Sequence, residues 1–256
     1  MGVHTSTVET TVLLRVGPKN SIVNAYNNNR ISFSCPANWI DYALSNNNHD
    51  TGDIMEGAFA RLFKEDMLLA YLKEKYKNNL MVAAVGDETN IAYFIPLLFT
   101  PMLCFYSMKR GMKQNLQEFA NQMNHSVNDS AALIIFDTEK FFKDLFCNIP
   151  LIISFLSTEG FDGCFNPEQP VLVKDINYTS KHHFLFTCDP IDALFLKDES
   201  YAYQHELRII IPNAHFRNNG IPGRSYERSS IDVDLPHIKE YAKVIVLGGN
   251  KEITLA

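Results

Sequence analysis

Residues 131–137 read Ala-Ala-Leu-Ile-Ile-Phe-Asp, an uninterrupted apolar run of strand length. A strand whose alternate positions are polar can keep one face in water, but one without them has to be covered on both faces. The run therefore predicts a fully buried strand, central in its sheet. Around it the chain alternates between strand and helix patterns. Residues 10–16 (Thr-Thr-Val-Leu-Leu-Arg-Val) predict a short β-branched strand ended by Gly17-Pro18, and residues 20–26 a short helix. Residues 30–35 predict a second strand in which Ile31, Phe33 and Cys35 alternate with Ser32 and Ser34, closed by Pro36.

Residues 53–77 carry Met55, Phe59, Leu62, Phe63, Met67 and Tyr71 at helical spacing, the clearest amphipathic helix in the chain. Residues 91–106 are apolar but broken by Pro96 and Pro101, which predicts two short buried strands, the second at 102–107. A helix is expected at 113–123, and another at 139–146 with Thr138 as its cap. Strand character returns at 171–173, 176–178 and 243–247, the last ended by Gly248-Gly249. No internal repeat or linker divides the chain, although Asn27-Asn28-Asn29 and Asn46-Asn47-Asn48 mark exposed loops. The expected architecture is one α+β domain over residues 1–256.

Composition narrows the function classes. With 46% hydrophobic residues the chain has the makings of a core rather than of a disordered segment. A net charge of -6 gives no overall attraction to nucleic acid, so such a partner has to meet local cations, for example Lys109, Arg110 and Lys113, or Arg217, Arg224 and Arg228. Five cysteines, odd in number and without a C-x-x-C pair, argue against a disulfide framework and a zinc site and fit a reducing cytoplasm. His182 and His183 are adjacent, so on a strand they point to opposite faces and make a poor joint metal site. No signal-like or membrane-spanning run is visible, and the expectation is a cytoplasmic protein without a membrane or metal partner.

The stretch Tyr201-Ala202-Tyr203-Gln204-His205-Glu206-Leu207-Arg208-Ile209-Ile210-Ile211-Pro212 concentrates polar groups in an otherwise apolar strand pattern. Read with a two-residue period, Tyr203, His205, Leu207, Ile209 and Ile211 share one face, and Gln204, Glu206 and Arg208 stand side by side on the other. A half-wet antiparallel strand alternates in the same way, so the pattern alone fits a solvated sheet face equally.

Three pieces in order narrow that choice: a first strand with Arg15, a second with Ser32-Phe33-Ser34, and a late Gln204-His205-Glu206. This order resembles the arginine–serine–glutamate branch of the ADP-ribosyltransferase superfamily. Ile31-Ser32-Phe33-Ser34-Cys35-Pro36, Cys104-Phe105-Tyr106-Ser107, the segment from Lys197-Asp198 to Arg208 and the closing 244–248 are similar to a related bacterial family that includes DNA- and RNA-modifying toxins. Members of that family carry asparagine-aspartate-proline where this chain has Trp39-Ile40-Asp41, and glutamate where it has Gln204. In the superfamily a glutamine there accompanies acceptors other than arginine side chains.

The resemblance implies a split mixed β-sheet core with flanking helices, and NAD as co-substrate. Glu206 would stabilise the cationic ribose as nicotinamide leaves, and Gln204 would read the acceptor. Arg15, with the backbone of Leu14 and Val16, would hold NAD; Ser32 or Ser34 would fix the Glu206 rotamer; Tyr203 or Tyr201 would stack on the acceptor. The implied role is an intracellular toxin of a toxin–antitoxin or anti-phage system. RNA is the favoured target over DNA, and a cognate antitoxin the expected partner. The competing readings are an NAD glycohydrolase, a protein-modifying transferase and a non-catalytic binding protein on the same fold.

Overall fold

The computed structural model describes residues 10–36, 38, 59–63, 90–94, 100–109, 113–123, 125–158, 171–179, 194–211, 230–248 and 254–255. In chain order the elements are β1 (Thr10–Pro18), α1 (Lys19–Asn27), β2 (Arg30–Phe33), β3 (Phe59–Phe63), β4 (Asn90–Phe94), β5 (Met102–Lys109), β6 (Gln114–Asn115) and α2 (Leu116–Gln122). They continue with β7 (Ser130–Ile135), α3 (Thr138–Thr158), β8 (Leu172–Asp175), β9 (Asn177–Thr179), β10 (Leu196–Asp198), a 3₁₀ helix (Glu199–Gln204) and β11 (Glu206–Ile210). The last are β12 (Ile231–Asp234), α4 (Ile238–Tyr241), β13 (Ala242–Val246) and β14 (Thr254–Leu255).

A six-stranded sheet in the order β13-β7-β1-β5-β11-β8 carries the fold. Each of its pairings is antiparallel, where a mixed sheet was expected; the parallel pairing described is that of β9 with β10, outside this sheet. The apolar run is buried from Ala131 to Ile135, as its composition demands, but the strand (Ser130–Ile135) stops short of the expected 137, and Phe136 is 48% exposed. The run's odd positions Ala131, Leu133 and Ile135 join a core with Ile22 of α1 and Phe141 and Leu145 of α3. Its even positions Ala132 and Ile134 join a second core with Leu116, Phe119 and Ala120 of α2. Helices on both faces hide β7 although it stands second from the sheet edge; the centre belongs to β1 and β5.

The feature that positions the site is a fork between those two central strands. They pair from Thr10↔Lys109 to Leu14↔Tyr106 and no further. Beyond that point β1 stays with β7 down to Pro18↔Ser130, and β5 stays with β11 down to Met102↔Ile210. Ser34, just past the end of β2, takes the vacated side of β5: its N–H donates to Met102 O at 2.8 Å, and Met102 N–H donates to Ser34 O at 2.7 Å. The sheet thus splits, and a cleft opens in its middle.

Several expectations need correction. Residues 59–63 form β3, paired with β4 from Phe59↔Phe94 to Phe63↔Asn90, where the periodicity predicted a helix over 53–77. Backbone pairing with β4 outweighed a weak local helix preference; 53–58 and 64–77 lie outside the described residues. Helix α3 runs on through Pro150 to Thr158 rather than stopping at 146, because the fixed proline φ is itself helical and only one intrahelical bond is lost. Its cap is Asp137 rather than Thr138, with Lys140 N–H donating to Asp137 Oδ1 at 3.1 Å. The helix expected at 113–123 starts later, since Gln114–Asn115 pairs with β14 and Asn115 Oδ1 caps α2, accepting from Gln117 N–H at 3.0 Å.

Candidate functional site

The polar stretch does not run as one strand. Asp198 opens a 3₁₀ helix by accepting from Ser200 N–H at 3.0 Å, and that helix carries Tyr201, Tyr203 and Gln204. His205 closes it in the left-handed region, φ 40°, with its N–H donating to Ala202 O, and its carbonyl accepts from Ser107 N–H at 2.8 Å. A β-carbon at positive φ is uncommon outside such turns, and the conformation holds only because its surroundings determine it. The strand starts at Glu206. The shared-face argument for Gln204 therefore fails, and His205 and Tyr203 do not share a face with Leu207.

The wet-face reading fails as well. Gln204 is 4% exposed, Glu206 8% and Arg208 0%. What brings Gln204 and Glu206 together is Lys197 of β10, whose ammonium donates to Gln204 Oε1 at 2.8 Å and to Glu206 Oε2 at 3.1 Å. On the other side of the carboxylate, Arg208 Nε donates to Glu206 Oε1 at 2.6 Å, and Arg208 Nη1 donates to the Leu194 carbonyl. The Glu206 N–H donates to the Tyr178 hydroxyl at 2.8 Å. Burial alone would raise the Glu206 pKa. The Arg208 guanidinium and Lys197 ammonium, with hydrogen bonds from Arg208 and Cys104, outweigh it and hold the carboxyl well below the usual carboxylate range. Burial pushes the Tyr178 hydroxyl upward, so it stays protonated.

Glu206 lines a cavity of about 540 Å³ at the fork. Leu14, Arg15 and Val16 of β1 form one side of it; Met102, Cys104 and Tyr106 of β5 another; Ser32 and Ser34 a third. Phe119, Met123 and His125 close it from α2 and the turn after it. Arg15 Nη1 donates to Ser32 O at 3.3 Å, linking β1 to β2 at the fork. Burial lowers the Arg15 pKa, partly countered by the Cys104 thiol, yet an arginine keeps its charge through such a shift. Burial likewise lowers the His125 pKa and favours its neutral form.

Arg15, Leu14, Val16, Ser32, Ser34, Gln204 and Glu206 thus meet in one cavity. The serines do not support Glu206. Ser32 Oγ donates to Asp232 Oδ1, and Ser34 Oγ accepts from Asn38 Nδ2 at 2.7 Å; the carboxylate is held by Arg208, Lys197 and Cys104 instead. Tyr201 and Tyr203 stand behind the wall. The Tyr201 ring lies 4.9 Å from Lys197 Nζ, and the Tyr203 hydroxyl accepts from Gln204 Nε2 at 3.3 Å. Trp39-Ile40-Asp41, His182-His183 and the Arg217, Arg224 and Arg228 cluster lie outside the described residues.

Sequence reasoning missed Lys197, Cys104, Tyr178, Met123 and His125. Lys197 carried a usable signal: it follows Leu194-Phe195-Leu196, a cation in an apolar stretch, as Arg15 is among Val12, Leu13, Leu14 and Val16. A buried ammonium needs partners, and a strand that places one there demands them nearby.

Chemically, the wall offers a carboxylate that Arg208 and Lys197 hold toward its ionised form, the guanidinium of Arg15, and a glutamine amide. Such a wall suits an anionic ligand that also carries hydroxyls. No helix among the described residues is long and apolar enough to cross a membrane. No family model matches the chain, and neither a curated protein nor a solved structure matches it.

Proposed function

We propose that this chain is an NAD-dependent ADP-ribosyltransferase that moves ADP-ribose from NAD to nucleic acid, RNA in preference to DNA, and releases nicotinamide. The observation that carries the reading is the buried, ionised Glu206 in the wall of a cleft that also holds Arg15 at the fork of the sheet. The cleft volume of about 540 Å³ lies in the range of ordinary small-molecule sites. Arg15 pairs with the NAD pyrophosphate through its planar fork. Glu206 accepts from a ribose hydroxyl and attracts the positive charge that grows on the ribose as the glycosidic bond breaks. The bonding pair leaves with nicotinamide, which becomes neutral. A lone pair on the acceptor forms the new bond to the ribose carbon, and the acceptor gives up its proton to water.

The resemblance to bacterial nucleic-acid-modifying toxins supports RNA as the target, an intracellular toxin or anti-phage effector as the role, and a neutralising antitoxin as the partner. Incubating the protein with NAD labelled in the adenylate half and separate pools of RNA, DNA and protein tests this. Label in the RNA pool, lost with Glu206→Gln, is the expected result. Intact NAD with no labelled pool would sink the enzyme reading, and free labelled ADP-ribose alone would turn it into a glycohydrolase.

One observation favours a second reading, a non-catalytic nucleotide-binding protein. Two cations already neutralise Glu206 and weaken its pull on a developing cation. On that reading NAD binds and survives.

A further inference from the structure

We infer that Lys197 is the positioning residue of this site. Its ammonium locks the Gln204 carboxamide and the Glu206 carboxylate into one unit, presenting a hydrogen-bond donor and a fixed negative charge to the cleft. Lys197 comes from outside the Gln204-His205-Glu206 segment, on β10, where it pairs with Tyr178 of β9 in parallel register. The two neighbours grip the same residue at different atoms, Tyr178 at the Glu206 backbone N–H and Lys197 at the carboxylate. The Lys197 side chain is 5% exposed, and the Tyr201 ring packs on its ammonium. With the left-handed turn at His205 separating Gln204 from Glu206, nothing in the strand itself aligns their side chains. The ammonium does.

The lock also fixes which way the Gln204 amide points. An ammonium only donates, so the amide oxygen has to face Lys197. Nε2 is then turned toward the Tyr203 hydroxyl and Met123 Sδ, at 3.3 and 3.5 Å, and Met123 is part of the cleft wall. A group that approaches Gln204 from the cleft therefore meets the N–H that is directed at Met123 Sδ. It needs a lone pair to offer, as a base carbonyl or ring nitrogen has and a guanidinium lacks. This acceptor argument rests on the transfer reading; the lock between Lys197, Gln204 and Glu206 does not.

The test compares Lys197→Met and Lys197→Arg with the unmodified protein, by nicotinamide release and by carbon-13 titration of the Glu206 carboxyl, assigned with Glu206→Gln. The titratable and charged groups facing that carboxyl are Arg208 on its own strand, Lys197 on β10, Tyr178 on β9, and Cys104 and Tyr106 on β5. Losing one of two cations raises the Glu206 pKa. In Lys197→Met its titration and the acid limb of the rate profile both move to higher pH, and kcat falls about a hundredfold while KM for NAD, held by Arg15, changes little. Lys197→Arg restores both in large part. An unmoved Glu206 titration in Lys197→Met overturns the proposal. Should that variant fail to fold, a Glu206 carboxyl titrating in the ordinary glutamate range in the unmodified protein overturns it equally. If the unmodified protein releases no nicotinamide, the transfer reading falls, while the titration still decides the role of Lys197.

Discussion

Asp144 and Glu206 are buried to the same degree, each 8% exposed, and lie in differently built surroundings. Asp144, on α3, accepts from the Tyr241 hydroxyl at 2.7 Å and from the His237 N–H at 3.1 Å. Both donors are neutral. The carboxylate pins α4 to α3 within the packing, and burial together with Asp144 raises the Tyr241 pKa. Glu206 instead stands between two cations, on the wall of the cleft. Burial alone marks neither as functional. Two charged partners and an opening onto a cavity are what set Glu206 apart, because such a group is costly to build for stability alone.

Substitution should separate the two sharply. Glu206→Gln keeps the volume and removes the charge, and is expected to slow nicotinamide release by about a hundredfold or more. Asp144→Ala leaves the buried Tyr241 hydroxyl and the part-buried His237 N–H without their acceptor and should cost about 1–3 kcal/mol of stability, read by denaturant unfolding. Release per folded molecule should stay unchanged. A folded Asp144→Ala protein that loses activity would break the contrast. Arg15→Lys replaces a planar fork with a point charge, and KM for NAD should rise about tenfold with kcat less affected.

The smaller effects sharpen it. Tyr241→Phe removes one bond to Asp144 and should cost about 1 kcal/mol, with no change in KM. The Glu206 carboxyl titrates lower in the folded chain than in the unfolded one, so its contribution to stability is present above the ordinary glutamate value of about 4.3 and is lost as pH falls through that value toward the folded pKa. Unfolding measured across that acid window should depend less on pH in Glu206→Gln than in the unmodified protein. Equal slopes would show that Glu206 is not held by its cations.

The legible parts of this molecule are those in which one residue's chemistry decides. Continuous apolarity placed Ser130–Ile135 in the core. Gly248 ends the last sheet strand in a conformation, φ 115°, that suits glycine. Arg15 stood out as a cation in an apolar strand. The adjacency of Glu206 and Arg208 also followed from the strand period, and the Arg208 Nε bond to Glu206 bears it out.

What stayed hidden depended on chain geometry between residues. The left-handed turn at His205 delays the start of the strand to Glu206, and a single histidine inside an apolar alternating pattern does not announce it. Lys197 reaches Glu206 across nine residues through that turn. Ser32 of β2 and Ser34 just beyond it bond to Asp232 and Asn38, partners brought in by β12 and by the segment after β2, which a local alternation cannot foresee. In β3, helical spacing and strand pairing compete for the same apolar residues, and only the presence of β4 decides.

On the proposed function, the clamped carboxylate at the fork drives the loss of nicotinamide from NAD. Mass spectrometry of RNA after incubation with NAD and the protein tests it most directly. RNA carrying ADP-ribose in step with the nicotinamide released, and neither product with Glu206→Gln, is the expected result; unchanged RNA beside intact NAD would overturn the transferase reading.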